Sequence, residues 1–549
     1  AMLIGYGLAL TLSFIAWRWR ESSTPFVRIA CIGLMAIPTI TYQKNWSLCA
    51  LRGHDFGYLF GYLMFKPGSG YPEMEKDAVL YGGTDPGRFV PTYMIFCESR
   101  VSPRNRFHDK DFDRSDVYII TQNALADTTY MSYIRDHYDF SRPKNDSLFQ
   151  RMLGRDTVYP KEPIHIPTPS DSAMAFQKYV QGVQSGAIPP SADLKIENGR
   201  VSVQGVGGVM AINGILAQWI FEKNKQKHAF YVEESYVIPW MYPYLRPHGV
   251  IMKIEKDPIP PPQADNAKWS EIITRDRSYW DKLSGDFLAR PEFVRNNDAK
   301  KSFSKMRSAI AGLYVFRGLH QEAEYAFKQS LELCPESPEA NFRLADLYIQ
   351  QHRYDEAINL IESYLKLDIY NTNAKNFLAN IKNLKRDESR RLDIEQQIKS
   401  SGGSDINVAM ELAGLYQRLN MDQQFQGLTK NILSASNLTP NVCQAVLQLY
   451  GNARRWDLLE NGLHRFLELD PNNFRARIDC GFVQLMQNKT TNGLASIKKA
   501  IEIGGEQARA VLRDDQRFMQ LRQNPEFQNM ITPKQLPINN QAMPKLLQF

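Results

Sequence analysis

The residues best placed to do chemistry lie in turns that follow short apolar runs. Asp77–Tyr81 (DAVLY) reads as a buried strand, and Gly82–Gly87 (GGTDPG) turns it into a helix from Arg88 to about Glu98. Two glycines free the backbone of that turn, and Thr84 or Asp85 can accept hydrogen bonds from the first N–H groups of the helix. Pro86 suits the first helical position. Capping alone accounts for these three residues. With Arg88 beside it, the same turn can also hold an anion, because a helix start offers free N–H groups and the positive end of the dipole. Asn123 and Asp127 occupy a comparable place after a second strand, Asp116–Thr121 (DVYIIT), again as potential caps. Thr84, Asp85, Arg88, Asn123 and Asp127 form the candidate ligand-binding set.

Other constellations have plainer explanations. His54 and Asp55 sit in RGHDFGYLFGY, which reads as a structural turn near a bilayer surface. Glu233 and Glu234 are adjacent carboxylates after the strand His228–Val232, but neighbours on a strand face opposite ways, which argues against a dyad. The glycines at Gly205–Gly208 do not complete a dinucleotide fingerprint, since Met210 stands at its last position. No phosphate-binding P-loop and no H-E-x-x-H metal motif occurs. The six cysteines (Cys31, Cys49, Cys97, Cys334, Cys443, Cys480) show no C-x-x-C spacing, so neither a zinc site nor a disulfide framework is indicated. No metal and no cofactor is expected, and no catalytic residue is identified.

The elements that must position these residues alternate between strand and helix. Further helices are expected over Ala173–Val183 and from the glycine turn to about Lys223, and further strands at Val201–Gln204, His228–Val232 and Val250–Ile254. Such alternation predicts an α/β domain over residues 45–257 with a mostly parallel sheet. Ligands tend to sit at the carboxyl ends of its strands. Pro258 and Pro260–Pro262 make a stiff break, so residues 258–303 read as a Pro-rich linker with helices. On that reading a fragment from Lys300 to Phe549 should fold alone.

Beyond residue 300 the chain repeats itself. Leu-Ala recurs at Leu344–Ala345, Leu378–Ala379 and Leu412–Ala413, each step being 34 residues. Tyr314, Tyr348, Tyr416 and Tyr450 fall on the same grid, as do Ala323, Ala357 and Gly493. Six windows starting at residues 304, 338, 372, 406, 440 and 474 keep this register up to residue 507. The third is degenerate, with Lys382 in place of tyrosine and a charged run after it, so its second helix should be longer or displaced. The pattern resembles the tetratricopeptide repeat, whose helix pairs stack into an all-α solenoid. Partner proteins are expected in its groove. Residues 508–549 read as a cap, carried by Phe518, Leu521 and Phe527, and a tail.

The start of the chain is apolar. Met2–Trp17 holds 16 residues without a charge, Arg18, Arg20, Glu21 and Arg28 follow, and Ile29–Tyr42 is apolar again. Two transmembrane helices over residues 1–44 are expected, somewhat short of the roughly 20 residues a span needs. The arginine loop should be cytoplasmic and the chain after Tyr42 extracytoplasmic. The abrupt start is what the C-terminal part of a longer polytopic protein would show. Over 549 residues the formal charge is only 66 − 59 = +7, too dilute for a nucleic-acid binder.

The middle segments resemble a known group. RGHDFGYLFGY (Arg52–Tyr62), YGGTDPGRFVPTYMIF (Tyr81–Phe96), DVYIITQNALADTTYMSYIRDHY (Asp116–Tyr138) and FYVEESYVIPWMYPYLRPHG (Phe230–Gly249) look like bacterial protein O-mannosyltransferase-like membrane proteins. These carry a transmembrane region of the GT-C type. The resemblance covers about Trp46 to Tyr314 and implies an integral-membrane glycosyltransferase with a lipid-phosphate-linked sugar as donor and a protein acceptor. It implies a bacterial inner membrane with the soluble part in the periplasm. The acidic catalytic residue of such enzymes lies in the first extracytoplasmic loop, which this chain does not contain, so no catalytic residue is carried over. The alternative is a non-enzymatic, membrane-anchored repeat scaffold.

Overall fold

A computed structural model describes residues 13–14, 17–18, 29, 40–46, 52–83, 85–106, 108–138, 162–184, 194–197, 200–203, 205–233, 238–401, 405–487 and 489–532. The chain divides into two compact units, residues 1–351 with 366–369, and residues 352–365 with 370–549. The apolar stretches Met2–Trp17 and Ile29–Tyr42 lie almost wholly outside the described residues. Among those residues no helix is long and apolar enough to cross a membrane.

In the first unit, a five-stranded sheet has the order β2-β1-β5-β7-β6, with β1 Val79–Gly82, β2 Tyr118–Thr121, β5 Phe230–Glu233, β6 Leu245–His248 and β7 Ile251–Ile254. Strands β3 (Leu194–Glu197) and β4 (Arg200–Val203) form a separate antiparallel hairpin. Strand β1 runs parallel to both β2 and β5. All four residues of each of these strands are buried, as expected of strands covered on both faces.

The expectation of a mostly parallel sheet is corrected here, because β5–β7 and β6–β7 pair antiparallel. Only Gly249 and Val250 separate β6 from β7, and so short a connection can join only antiparallel neighbours. Strand β6 is hard to see in the sequence because it contains Pro247. Its edge position tolerates a residue without an N–H.

Helix α1 (Phe56–Phe65) packs on α2 (Asp85–Phe96), and α3 (Thr128–His137) follows β2. Helix α4 (Pro169–Gln184) packs on α5 (Val206–Asn224). Gly208 allows that contact, since a Cβ there would lie 2.7 Å from the Tyr179 hydroxyl. Gly208 is thereby explained by packing.

The Pro-rich break is docked within the first unit. Ile259 N–H donates to Pro243 O at 2.8 Å, and Trp269 Nε1 donates to Pro260 O at 2.8 Å. Helices α6 (Asn266–Leu288) and α7 (Pro291–Arg295) lead to α8 (Asn297–Phe316), the first helix of the repeats. Phe56, Phe60, Phe287, Phe293 and Phe303 join α1, α6, α7 and α8 through ring contacts of 4.5–5.9 Å. Helices α9 (His320–Leu333) and α10 (Pro338–Gln350) continue the array.

The second unit contains most of α11 (Tyr354–Leu367) and α12 (Thr372–Ser401). It continues with α13 (Ile406–Arg418), α14 (Asp422–Ser434), α15 (Pro440–Asn452) and α16 (Trp456–Leu469). Helices α17 (Phe474–Met486), α18 (Thr490–Asp514) and α19 (Pro525–Ile531) complete it. The windows at 406, 440 and 474 are helix pairs. Ala413 and Tyr416, and Tyr450 from the next window, share one buried core with Phe425, Leu463 and Phe466.

The window at 372 departs from the pattern. It forms one 30-residue helix, α12, with no turn between a first and a second half. The charged run supplies its surface: Arg390 forms an ion pair with Glu411, and Arg418 with Asp387, both at 2.7 Å. Helix α18 bends at Gly505 (φ 54°, ψ −131°), after which Phe518 and Phe527 bury themselves in a cluster with Ile478 and Leu512.

Candidate functional site

The three parallel strands end level with one another. Gly82 is in register with Thr121 on one side and with Glu233 on the other. From β1 the chain goes to β2 on one flank and later returns to β5 on the other, so the order reverses at the carboxyl ends of β1 and β5. Such switch points open the crevice in which α/β sheets hold ligands.

Glycine is required at two positions of this edge. A Cβ on Gly82 would lie 2.5 Å from Gly87 O, a backbone atom that cannot give way. Pro91, four residues on in α2, has no N–H for that carbonyl, which leaves it outside the helical ladder. A Cβ on Gly87 would lie 1.3 Å from Oε2 of Glu233. The carboxylate of Glu233 is therefore pressed against the first turn of α2. That position lies near the positive end of the α2 dipole. Glu233 is fully buried.

A relay of amides holds the turns together. Asn213, on α5 and completely buried, accepts from Ala126 N–H at 2.7 Å and donates to Asn123 O at 2.9 Å. The Asn123 side chain in turn donates to Gly83 O at 2.9 Å. The turn after β2 thus fastens the turn after β1. Thr121 N–H donates to the Tyr130 hydroxyl at 2.6 Å, and burial holds that hydroxyl's pKa above its ordinary value.

The expected site residues fare differently. Asn123 is at the strand edge, with its amide used to tie Gly83. Asp127 is exposed and caps α3 by accepting from Tyr130 N–H at 2.7 Å, the structural role. Arg88 is half-buried in the first turns of α2, with its guanidinium 4.3 Å from the Phe89 ring centre. Asp85 opens α2 by its backbone, while its side chain and the whole of Thr84 lie outside the described residues. Asp55 forms an ion pair with Arg290 and His54 meets Asn296, so both act in the α1 entry turn. Glu234 lies outside the described residues.

Sequence reasoning passed over Glu233 and Asn213. Glu233 was set aside because its neighbour faces the other way, yet a single carboxylate at a strand end needs no partner on its own strand. The available signal was the glycine at position 87. Asn213 had one cue, a polar residue within an apolar helical stretch. Among the described residues no three His, Cys, Asp or Glu side chains gather as a metal site would require.

No curated protein matches the chain. Among solved structures it is similar to YrrB, a TPR protein with an unusual peptide-binding site, at 13% identity over 44% of this chain and 97% of that one, with a TM-score of 0.18. It is similar to the MamA protein at 13% identity, over 38% and 94% of the two chains, with a TM-score of 0.17. A tetratricopeptide repeat protein from Parabacteroides merdae matches at 14% identity, over 43% and 96%, with a TM-score of 0.17. The family model of the tetratricopeptide repeat matches residues 317–381. With the 34-residue period and the helix pairs, that match makes the C-terminal part of the chain an array of tetratricopeptide repeats.

Proposed function

We propose that the chain recruits a protein partner through its repeats, at the extracytoplasmic end of an integral-membrane glycosyltransferase. The recruitment rests on one observation. First helices of successive windows carry exposed polar residues one period apart: Asn407, Asn441 and Arg475 form a row. Neither amide is buried for the core, and a row of amide and guanidinium groups suits the backbone and carboxylates of an extended peptide. Capture of partner proteins by the intact chain tests this reading. Asn441→Ala with Arg475→Ala should abolish capture while leaving the melt unchanged, and undiminished capture by that variant would overturn it.

The glycosyltransferase context rests on the resemblance of Arg52–Tyr62, Tyr81–Phe96, Asp116–Tyr138 and Phe230–Gly249 to protein O-mannosyltransferase-like proteins. Its donor would be a lipid-phosphate-linked sugar, its acceptor the recruited protein, and its place the periplasmic face of a bacterial inner membrane. Cysteines introduced at Arg20 and Ser302 should label from opposite sides of the membrane in cells. Labelling from one side would overturn the topology.

A further inference from the structure

Helix α2 turns an apolar face to solvent. Pro86, Phe89, Tyr93 and, just past its end, Cys97 are exposed at helical spacing, and no charged residue stands between Phe89 and Cys97. Phe89 is 59% exposed and Tyr93 49%. A helix that covers a sheet ordinarily turns a polar face outward. The Thr92 hydroxyl does not supply one, because it donates back to Arg88 O at 2.6 Å. The face continues onto α3. There the Phe96 ring lies 5.6 Å from His137, which stacks at 5.4 Å on Tyr133, itself 56% exposed. Its edge is basic: from Pro86 to Arg106 the exposed charged residues are Arg100 and Arg104. The acid between, Glu98, is buried and accepts from the Tyr93 hydroxyl at 3.4 Å.

We propose that this face of α2 and α3 lies on the surface of the bilayer and prefers anionic lipid, an inference that rests on the membrane placement proposed above. Exposed apolar patches mark contacts with proteins or with membranes, and two observations favour the membrane. The first is composition. Tyrosine rings settle at the depth of the headgroups, and exposed arginines beside them meet the phosphates of anionic lipid. The second is the tether. Residues 40–46 are helical at the end of the apolar stretch Ile29–Tyr42, with Ile40, Tyr42 and Trp46 exposed and the last two rings 4.9 Å apart. Residues 47–55 alone separate them from α1, and fully extended they reach about 35 Å. Helix α1 carries no charge from Phe56 to Phe65 and packs closely on α2, where a Cβ on Gly61 would lie 2.6 Å from the Met94 side chain. Helix α2 is thereby held close to the segment that would enter the bilayer.

Fluorescence from Cys97 tests it. Cys97 is exposed, and the other free cysteines among the described residues are buried. With Cys31→Ser and Cys49→Ser, the whole chain takes an environment-sensitive nitrobenzoxadiazole label at Cys97. It is then reconstituted into phosphatidylcholine vesicles with and without phosphatidylglycerol. Flotation with the vesicles reads the anchoring, and the label reads the face. Its emission should move to shorter wavelength and be quenched by lipid spin-labelled near the headgroup, more strongly with phosphatidylglycerol present. Phe89→Ser with Tyr93→Ser should lose most of that quenching while flotation and the melt stay unchanged. Arg100→Glu with Arg104→Glu should lose the response to phosphatidylglycerol. A chain that floats while its label stays in water overturns the proposal and leaves the membrane placement standing. Emission at shorter wavelength that spin-labelled lipid does not quench means that protein covers the face, and overturns it as well. A chain that does not float overturns both.

Discussion

Arg307 donates to Asp276 at 2.7 Å, and each of these side chains is only 1% exposed. The same carboxylate oxygen accepts from the Tyr314 hydroxyl, also at 2.7 Å, and Arg307 reaches Gln329 through Nε. Helix α6 is thereby locked to the first two helices of the repeats. Removing one member of a buried ion pair strands the other charge, at a cost of about 3–5 kcal/mol. Asp276→Ala should destabilise the first unit by that order in urea titrations. The double change Asp276→Leu with Arg307→Met should recover most of the loss, because neither charge is then left alone.

A fragment that starts at Lys300, where the Pro-rich break invites a cut, keeps Arg307 and loses Asp276. It also loses the Ile259 and Pro243 carbonyls that Arg317 engages at 2.9 and 2.7 Å. The expectation of separability at that point is revised accordingly. The fragment should melt earlier by circular dichroism than one that starts at Asp257. Equal melting temperatures would remove the argument.

Gly87→Ala sets a methyl group on the Glu233 carboxylate. Overpacking of a tight interior costs about 1–3 kcal/mol. Pairing Gly87→Ala with Glu233→Ala should cost less than the sum of the two single changes, read as a non-additive shift in thermal midpoint.

His248 is buried between the rings of Tyr71 and Tyr231, at 5.4 and 5.0 Å. Neither of its ring nitrogens finds a hydrogen bond among the described residues. Burial, with help from Arg246, Lys253 and Arg275, lowers its pKa from 6.5 to about 3. Above pH 6.5 both the folded and unfolded chains hold the ring neutral, so it contributes nothing to pH dependence there. Below that the unfolded chain takes up a proton that the fold refuses, and stability falls by about 1.4 kcal/mol per pH unit. The loss continues until the folded pKa is reached. His248→Phe should remove this slope, so its advantage over the parent should grow between pH 6.5 and 5 in denaturant titrations.

Gly505 has φ 54° with nothing within 4 Å of a would-be Cβ. Gly505→Ala therefore tests backbone strain without a clash. A left-handed residue other than glycine costs about 1–2 kcal/mol, which should appear as a lower urea midpoint with an unchanged slope.

Periodicity made the array legible. Packing of a small residue against a small residue needs the same residue types in every turn, so Ala323, Ala357 and Gly493 announce themselves at fixed spacing. The degenerate window was legible as an irregularity, through Lys382, but not as a single helix. Whether a turn forms between two helices depends on a few residues whose helix propensities differ by tenths of a kcal/mol. The site was legible only in part. Turn chemistry identified Gly82–Gly87 and Asn123, because glycine and asparagine carry local backbone signals. Glu233 and Asn213 matter through strand register and helix packing, which link positions more than 80 residues apart. No local pattern encodes such a pairing. The antiparallel half of the sheet was hidden in the same way, behind Pro247.

Between Ser302 and Val315, helix α8 has no exposed residue. One side meets Phe60 of α1 through Phe303, another meets α9 through Ser304, Ser308 and Ser330, and a third meets α6 through Arg307 and Tyr314. Three neighbours thus make competing demands on one short stretch of sequence, and a residue that suits one is constrained by the next. Selection for folding alone would hold this helix nearly invariant among relatives. Invariance along α8 would therefore be poor evidence of chemistry.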